Sequence, residues 1–239
     1  MKLIGRGHTA EIYEYEEGKI CKLFFNWNTE EAVNRECHNA MVIQKCVQTV
    51  PRCYGIIEQD GRKGIIYEQI KGKPLIEKYF EDGDGVFMLE TLTEMQESIL
   101  ACHTKEVMSN KDFCAALVKH ACLAKGLEVN EDEMKKIAEL PDGDSLCHGD
   151  FHPFNVMVTK ENKAYAIDFM NLCRGPREYD IARTYYLIRY GDVPKDAPNK
   201  NDIIKMQEEL AESYLIRMNV RHKDIEKYIE VVKICRKYE

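Results

Sequence analysis

The period of the hydrophobic pattern changes once along this chain, near Gly72, and that change limits the fold more than any other feature. Before it, apolar and polar residues alternate around glycines, as half-buried strands require. Ile12, Tyr13 and Tyr15 precede Gly18, and Ile20, Leu23 and Phe24 follow it, so residues 3–25 predict a glycine-rich turn followed by a strand pair. Thr29 is placed to cap a helix with Glu30 and Glu31 in its first turn, where the helix dipole favours acids. Ala32, Cys37, Ala40, Met41 and Ile43 give that helix an apolar face. Residues 54–58 and 64–70 predict two more strands joined at Asp60-Gly61. After Gly72, Val86, Leu89, Leu92, Met95, Ile99 and Cys102 recur at helical spacing, and residues 112–124 repeat the pattern. Further helices are predicted over 178–190, 202–218 and 222–237. A polar loop at 141–144 leads into 146–155, and 156–158 with 164–167 forms a short hairpin. The expected fold is α+β: strand–strand–helix–strand–strand over residues 1–70, then a mostly helical part over 71–239.

Composition narrows the class. Hydrophobic residues at 44% and charged residues at 31% exclude disordered, collagen-like and coiled-coil chains. Apolar runs are only a few residues long, so no membrane span is expected. The opening Met1-Lys2-Leu3-Ile4-Gly5 breaks at once into glycine and charge, so no signal peptide is expected and the assigned location is cytoplasmic. A net charge of −7 is the wrong sign for a nucleic-acid binder. Residues 1–70 carry 9 basic and 10 acidic side chains against 25 and 31 in the remainder, so the acid excess lies in the larger part. Ten cysteines without a C-x-x-C spacing read as reduced thiols, neither a zinc site nor a disulfide framework.

The chemistry concentrates in His148-Gly149-Asp150-Phe151-His152-Pro153-Phe154-Asn155, with Asp168 thirteen residues beyond Asn155. Moving a phosphoryl group to a hydroxyl needs a carboxylate to orient that hydroxyl and accept its proton. It also needs oxygen ligands to hold Mg²⁺ against the nucleotide phosphates. An Asp, an Asn five residues on and a second Asp after a hairpin supply those groups. Either residue alone reads as a loop cap; the whole string does not.

This string, followed by Ile167-Asp168-Phe169, resembles the catalytic block of the aminoglycoside phosphotransferase and choline kinase superfamily, and Asp168-Phe169-Met170-Asn171 followed by Asp180-Ile181-Ala182-Arg183-Thr184 resembles an uncharacterised bacterial branch of it. The order of the other segments agrees. Residues 4–13 resemble the nucleotide-covering glycine loop, 20–24 the strand of the phosphate-binding lysine, and Asn34-Arg35-Glu36 the helix of its partner glutamate. Residues 65–72 resemble the lobe hinge, and 174–183 the segment after the metal aspartate. The resemblance implies a bilobal protein-kinase-like fold, with a nucleotide-binding lobe over 1–70 and a catalytic and acceptor-binding lobe over 71–239.

Roles follow from it position by position. Gly5 and Gly7 let backbone N–H groups approach phosphates, and Lys22, oriented by Glu36, holds phosphate oxygens. Glu30 and Glu31 are rival partners for Lys22. Backbone groups of Glu68, Gln69 and Ile70 meet the purine edge. Asp150 is the catalytic carboxylate, and Asn155 and Asp168 are the Mg²⁺ ligands. His152 stands where protein kinases place a phosphate-contacting lysine, with a loop histidine as the equal alternative. His148 and Asp180 are read as structural. The sequence departs from the pattern at His8 and Ala10 in the glycine loop, at Phe154 before the metal asparagine, and at Asn171. No long activation segment precedes Asp180, which weighs against a protein kinase. The expected activity is transfer from ATP, or GTP, to a hydroxyl of a small-molecule acceptor: aminoglycoside, aminosugar or amino alcohol. A cationic acceptor suits the acidic larger lobe, and Asp82, Asp84 and the acids of 202–212 are candidates for its wall. The rival from another class is a nucleotide-binding regulatory module, a pseudokinase.

Overall fold

Alternation in the first 70 residues resolves into five strands and one helix. In the computed structural model, which describes residues 1–193 and 199–239, the order begins β1 (Lys2–Arg6), β2 (Ala10–Glu14), β3 (Lys19–Phe24), α1 (Glu30–Ile43), β4 (Cys53–Gln59) and β5 (Arg62–Glu68). Next come β6 (Gly72–Pro74), α2 (Leu75–Asp82), α3 (Gly85–Leu100), α4 (Asn110–Lys125) and α5 (Glu131–Ala138). The short strands β7 (Ser145–Cys147), β8 (Val156–Thr159), β9 (Ala164–Ala166) and β10 (Cys173–Gly175) precede α6 (Arg177–Tyr190), α7 (Lys200–Arg217) and α8 (His222–Arg236). Two compact units result: Met1–Gly83 with Phe154–Leu172, and Asp84–Pro153 with Cys173–Glu239. They differ in extent from the expected lobes, because β6, α2 and the β8–β9 hairpin group with the sheet-bearing unit.

In the first unit the five strands form an antiparallel sheet in the order β1-β2-β3-β5-β4. Three strands precede α1, where the sequence predicts two. The extra one is β1, whose residues are exposed except Gly5, so it shows no burial period to read. On β3, Cys21 and Leu23 turn to one face and pack with Ile66, Tyr13 and Ile57. Strand alternation sends Lys22 to the other face. Helix α1 starts where Thr29 Oγ1 accepts the Ala32 N–H at 3.2 Å, as the sequence predicts, and buries Val33, Glu36, Cys37 and Ala40. A second sheet, β6-β8-β9, carries the hairpin. Its edge requires Gly72, since a Cβ there would stand 2.4 Å from the Val158 carbonyl oxygen.

The second unit is mostly helical, apart from the β7–β10 pair. Asp84 caps α3, Ser109 caps α4, and α4 ends on Gly126 in the left-handed region at φ 63°. The core comprises Leu92, Ile99, Val118, Ile181, Tyr214 and Val232, among others. Helix α6 packs against α7 and α8 and buries Asp180, Arg183 and Thr184 along with its apolar residues. All ten cysteines are free thiols. Among the described residues no helix is long and apolar enough to cross a membrane.

Candidate active site

Lys22 emerges from β3 into an ion triad with buried Glu36 and half-buried Asp168. Its Nζ lies 2.7 Å from Glu36 Oε1 on α1 and 2.9 Å from Asp168 Oδ1. Tyr67, on β5, donates its hydroxyl to the same Glu36 oxygen at 3.2 Å, while Glu36 Oε2 is buried without a partner. Burial opposes the charge on Lys22, but the carboxylates of Asp168 and Glu36 outweigh it and hold its pKa above the ordinary lysine value. Glu36 is raised, first by burial and also by the Asp168 charge, against the pull of Lys22 and Tyr67. Two carboxylates therefore share one ammonium. The rival partners resolve: Glu30 pairs with Lys63 at 3.6 Å, and Lys22 takes Glu36.

Asn155 and Asp168 flank the two ends of one hairpin. Val156 opposite Ala166 closes the ladder, and the Ile167 N–H donates to the Asn155 carbonyl at 3.0 Å. Asp168 sits at φ 69°, a left-handed conformation that Asp tolerates better than most residues. Buried Asn39 holds the turn after it, donating Nδ2 to Phe169 O at 2.9 Å and Leu172 O at 3.3 Å. Sequence reasoning missed Asn39; its signal was a polar residue three positions after Glu36 on the buried face of α1. A carboxylate and an amide oxygen are hard donors suited to Mg²⁺, which takes few protein ligands and completes its shell with water and phosphate. Among the described residues no cluster of three His, Cys, Asp or Glu forms a metal cage.

The glycine turn is tight, with the Gly7 N–H donating to Ala10 O at 2.9 Å. Neither Gly5 nor Gly7 has a left-handed φ, and a Cβ at either meets no atom closer than 3.6 Å. Their conformation does not require glycine; what glycine gives is uncovered backbone. Asn28 and Phe25 pin the turn by donating to Thr9 O at 2.9 and 3.0 Å. In the strip 68–70, the Glu68 N–H is spent on Arg52 O at 2.8 Å and the Gln69 N–H on Gly18 O at 2.9 Å. A purine edge therefore gains no donor from these two. A cavity of about 490 Å³ adjoins the strip, lined also by Thr159, Lys160 and Glu161.

Asp150 belongs to the second unit, on the loop that leaves β7. Gly149 turns at φ 76°, and its N–H donates to Asp180 Oδ1 at 2.8 Å. Gln96 Nε2 donates to Asp180 Oδ2 at 2.9 Å and to Thr184 Oγ1 at 2.9 Å, and Tyr214 donates its hydroxyl to Gln96 Oε1 at 2.5 Å. Asp180 is thus a buried acceptor that nails the loop backbone. His148, fully buried, meets Phe151 edge-on at 5.3 Å and accepts the Asp150 N–H on Nδ1 at 3.3 Å. Its structural reading fits. The Asp150 carboxylate lies 3.6 Å from His152 Nε2 and 4.0 Å from Arg183 Nη2. Burial raises its pKa, but His152, Arg183 and His148 together bring it down to about 2. His152 thus stands beside the carboxylate. Sequence reasoning gave Arg183 and Gln96 no role; Arg183, three residues after Asp180 on α6, carried the fairer signal. Among the candidate acceptor-wall acids, Asp82 pairs with Lys78, Asp84 caps α3, and Glu212 binds Tyr185 and His222.

The antiparallel sheet thus bears the lysine and one helix its glutamate, the β8–β9 hairpin presents Asn155 and Asp168, and the loop after β7 bears Asp150. Comparison agrees: residues 107–204 match the phosphotransferase enzyme family APH. The fold matches an aminoglycoside phosphotransferase APH(4)-Ia in ternary complex with AMP-PNP and hygromycin B, at TM-score 0.66 and 13% identity over 99% of this chain and 84% of that one. It also matches aminoglycoside-3'-phosphotransferase of type VIII, at TM-score 0.64 and 14% identity over 98% and 91%. A third match is APH(3'')-Id from Streptomyces rimosus with ADP and streptomycin, at TM-score 0.63 and 11% identity over 92% and 88%. No curated protein sequence matches the chain. The resemblance read from the motifs stands for the fold, which is that of the aminoglycoside phosphotransferases matched, and residues 107–204 carry the phosphotransferase family's pattern.

Proposed function

We propose that the protein transfers the γ-phosphoryl group of ATP to a hydroxyl of a small molecule of the aminoglycoside, aminosugar or amino alcohol class. The Lys22–Glu36–Asp168 triad carries this reading, because it holds a charged lysine at the end of a hairpin that also presents Asn155. The related folds that hold AMP-PNP or ADP with an aminoglycoside support the nucleotide and the acceptor class.

Lys22 binds phosphate oxygens and Glu36 orients it. Asp168 and Asn155 are the ligands for Mg²⁺, which when bound supplies positive charge that offsets the phosphates. The uncovered glycine turn lies over the nucleotide, and Ile70 offers the N–H that reads its base. Asp150 accepts a hydrogen bond from the acceptor hydroxyl and so aims its oxygen at the γ-phosphorus. As the new P–O bond forms and the bond to the ADP oxygen breaks, the hydroxyl proton passes to Asp150 and then to solvent. A carboxylate whose pKa is about 2 is a weak base, so Asp150 orients first and takes the proton late, when the attacking oxygen has become acidic.

The test is ATP consumption by the full chain with Mg²⁺, with and without aminoglycosides, choline, aminosugars and casein. Stimulation by a small hydroxyl compound and none by casein is expected. ATP binding that does not depend on Mg²⁺, with no turnover across the panel, would favour the pseudokinase instead.

A further inference from the structure

Arg183 is fully buried on α6, yet its guanidinium faces the catalytic loop. Its Nε donates to the carbonyl of Gly149, the residue whose left-handed turn delivers Asp150. Its Nη2 bonds Glu239 Oε1 at 2.6 Å and stands 4.0 Å from Asp150 Oδ1. Nη1 is buried without a partner. Glu239 is itself held: its Oε2 accepts from Arg236 Nη1 at 2.6 Å. The residues before it are anchored on α5, where Glu133 accepts from Lys237 Nζ at 2.6 Å and from the Tyr238 hydroxyl at 2.9 Å. A segment after α8 is thus tied down so that one carboxylate reaches a buried guanidinium.

We propose that Glu239 is a positioning residue for Asp150, fixing Arg183 so that it tethers the Gly149 carbonyl and keeps its charge at a set distance from the Asp150 carboxylate. This rests on the reading of Asp150 as the group that aims the acceptor hydroxyl. Two carboxylates compete for Nη2, and the nearer holds it. With Glu239 neutral, the guanidinium is drawn toward Asp150, the 4.0 Å gap closes to a direct ion pair, and the tether on Gly149 slackens. The nucleotide and metal contacts assigned to Lys22, Asn155 and Asp168 lie on the other unit and stay as they were. The signature is a rate effect without a binding effect.

The experiment uses the full chain with Mg²⁺ and ATP, water standing in as acceptor, and reads hydrolysis rate, nucleotide Kd and thermal midpoint. Glu239→Gln is expected to slow hydrolysis at least about tenfold with Kd within about threefold, and Glu239→Asp to recover part of the rate. Arg236→Gln, which loosens the same segment but leaves the Arg183 contact, is expected to keep most of the rate. A wild-type rate in Glu239→Gln, or an equal loss in Arg236→Gln, overturns the proposal. If Glu239→Gln does not fold, Glu239→Asp decides: a slowed rate at unchanged Kd supports positioning, and an unchanged rate overturns it. Equal rates for wild type and Asp150→Asn overturn the assignment of Asp150 and the proposal with it. A slow Asp150→Asn beside a normal Glu239→Gln overturns the positioning alone.

Discussion

At Lys22 one ammonium serves two carboxylates, of which Glu36 is fully buried, so its removal acts on folding as well as on chemistry. Lys22→Ala leaves Glu36 buried without its counter-charge, which costs about 3–5 kcal/mol when one partner of a buried pair is deleted. Denaturant unfolding at pH 7 should show that loss beside the collapse of turnover, and the deficit should shrink at pH 5. The sign follows from Glu36: burial already raises its folded pKa, and removing Lys22 takes away a charge that lowers it, so the variant's folded state takes up a proton more readily than wild type's and the deficit narrows as pH falls. Asp150 works the other way. Its pKa is lowered to about 2 in the fold, so its contribution is present above the ordinary aspartate value and is lost as pH falls toward 2. The stability that wild type loses between pH 5 and 2 should exceed that lost by Asp150→Asn by about 2 kcal/mol. Lys22, Glu36 and Asp168 were legible only through the family pattern, since a lone lysine on a strand reads as solvated. Asn39, Gln96 and Arg183 were not legible: within an apolar period, a polar residue that satisfies another segment's backbone looks like any helix-face residue.

Among the elements, the β8–β9 hairpin matters most, because its two ends present the candidate metal ligands. Its outer neighbour β6 pairs with β8 over Gly72–Pro74, and at Gly72 backbone meets backbone. Gly72→Ala must break part of that pairing. A stability loss of about 1–3 kcal/mol is expected, as for an overpacked core site, with weaker Mg²⁺-dependent nucleotide binding by calorimetry. Unchanged affinity at reduced stability would show that β6 does not support the hairpin's ends. The sequence showed the long elements well, since α3, α4 and α6–α8 span enough turns for a 3.6-residue period to appear. It missed β6, β7 and β10, which at three residues each have no period. It also missed α2 and α5, at eight residues each. For α5 a signal existed in Asn130 ahead of three acids, and Asn130 Oδ1 does accept from Asp132 and Glu133 N–H groups.

For the molecule as a whole, the scattered cysteines are buried filler. Eight of the ten are buried, and burial pushes the Cys21 thiol up to about 11 and Cys53 up to about 12. A thiol reagent should therefore modify Cys46, the exposed one, first in the native protein and all ten in denaturant. Fast native labelling of most thiols would contradict this packing. The central claim is that Asp150 serves the chemical step and Asp168 the bound nucleotide, and it is tested most directly by nucleotide Kd values and single-turnover rates measured in parallel. Asp150→Asn is expected to bind nucleotide within a few-fold of wild type and to transfer roughly 10²–10⁴ more slowly, as when a positioned proton acceptor is lost. Asp168→Asn is expected to lose both binding and rate. If Asp150→Asn loses nucleotide affinity while Asp168→Asn keeps it, the two assignments are exchanged and the account is contradicted.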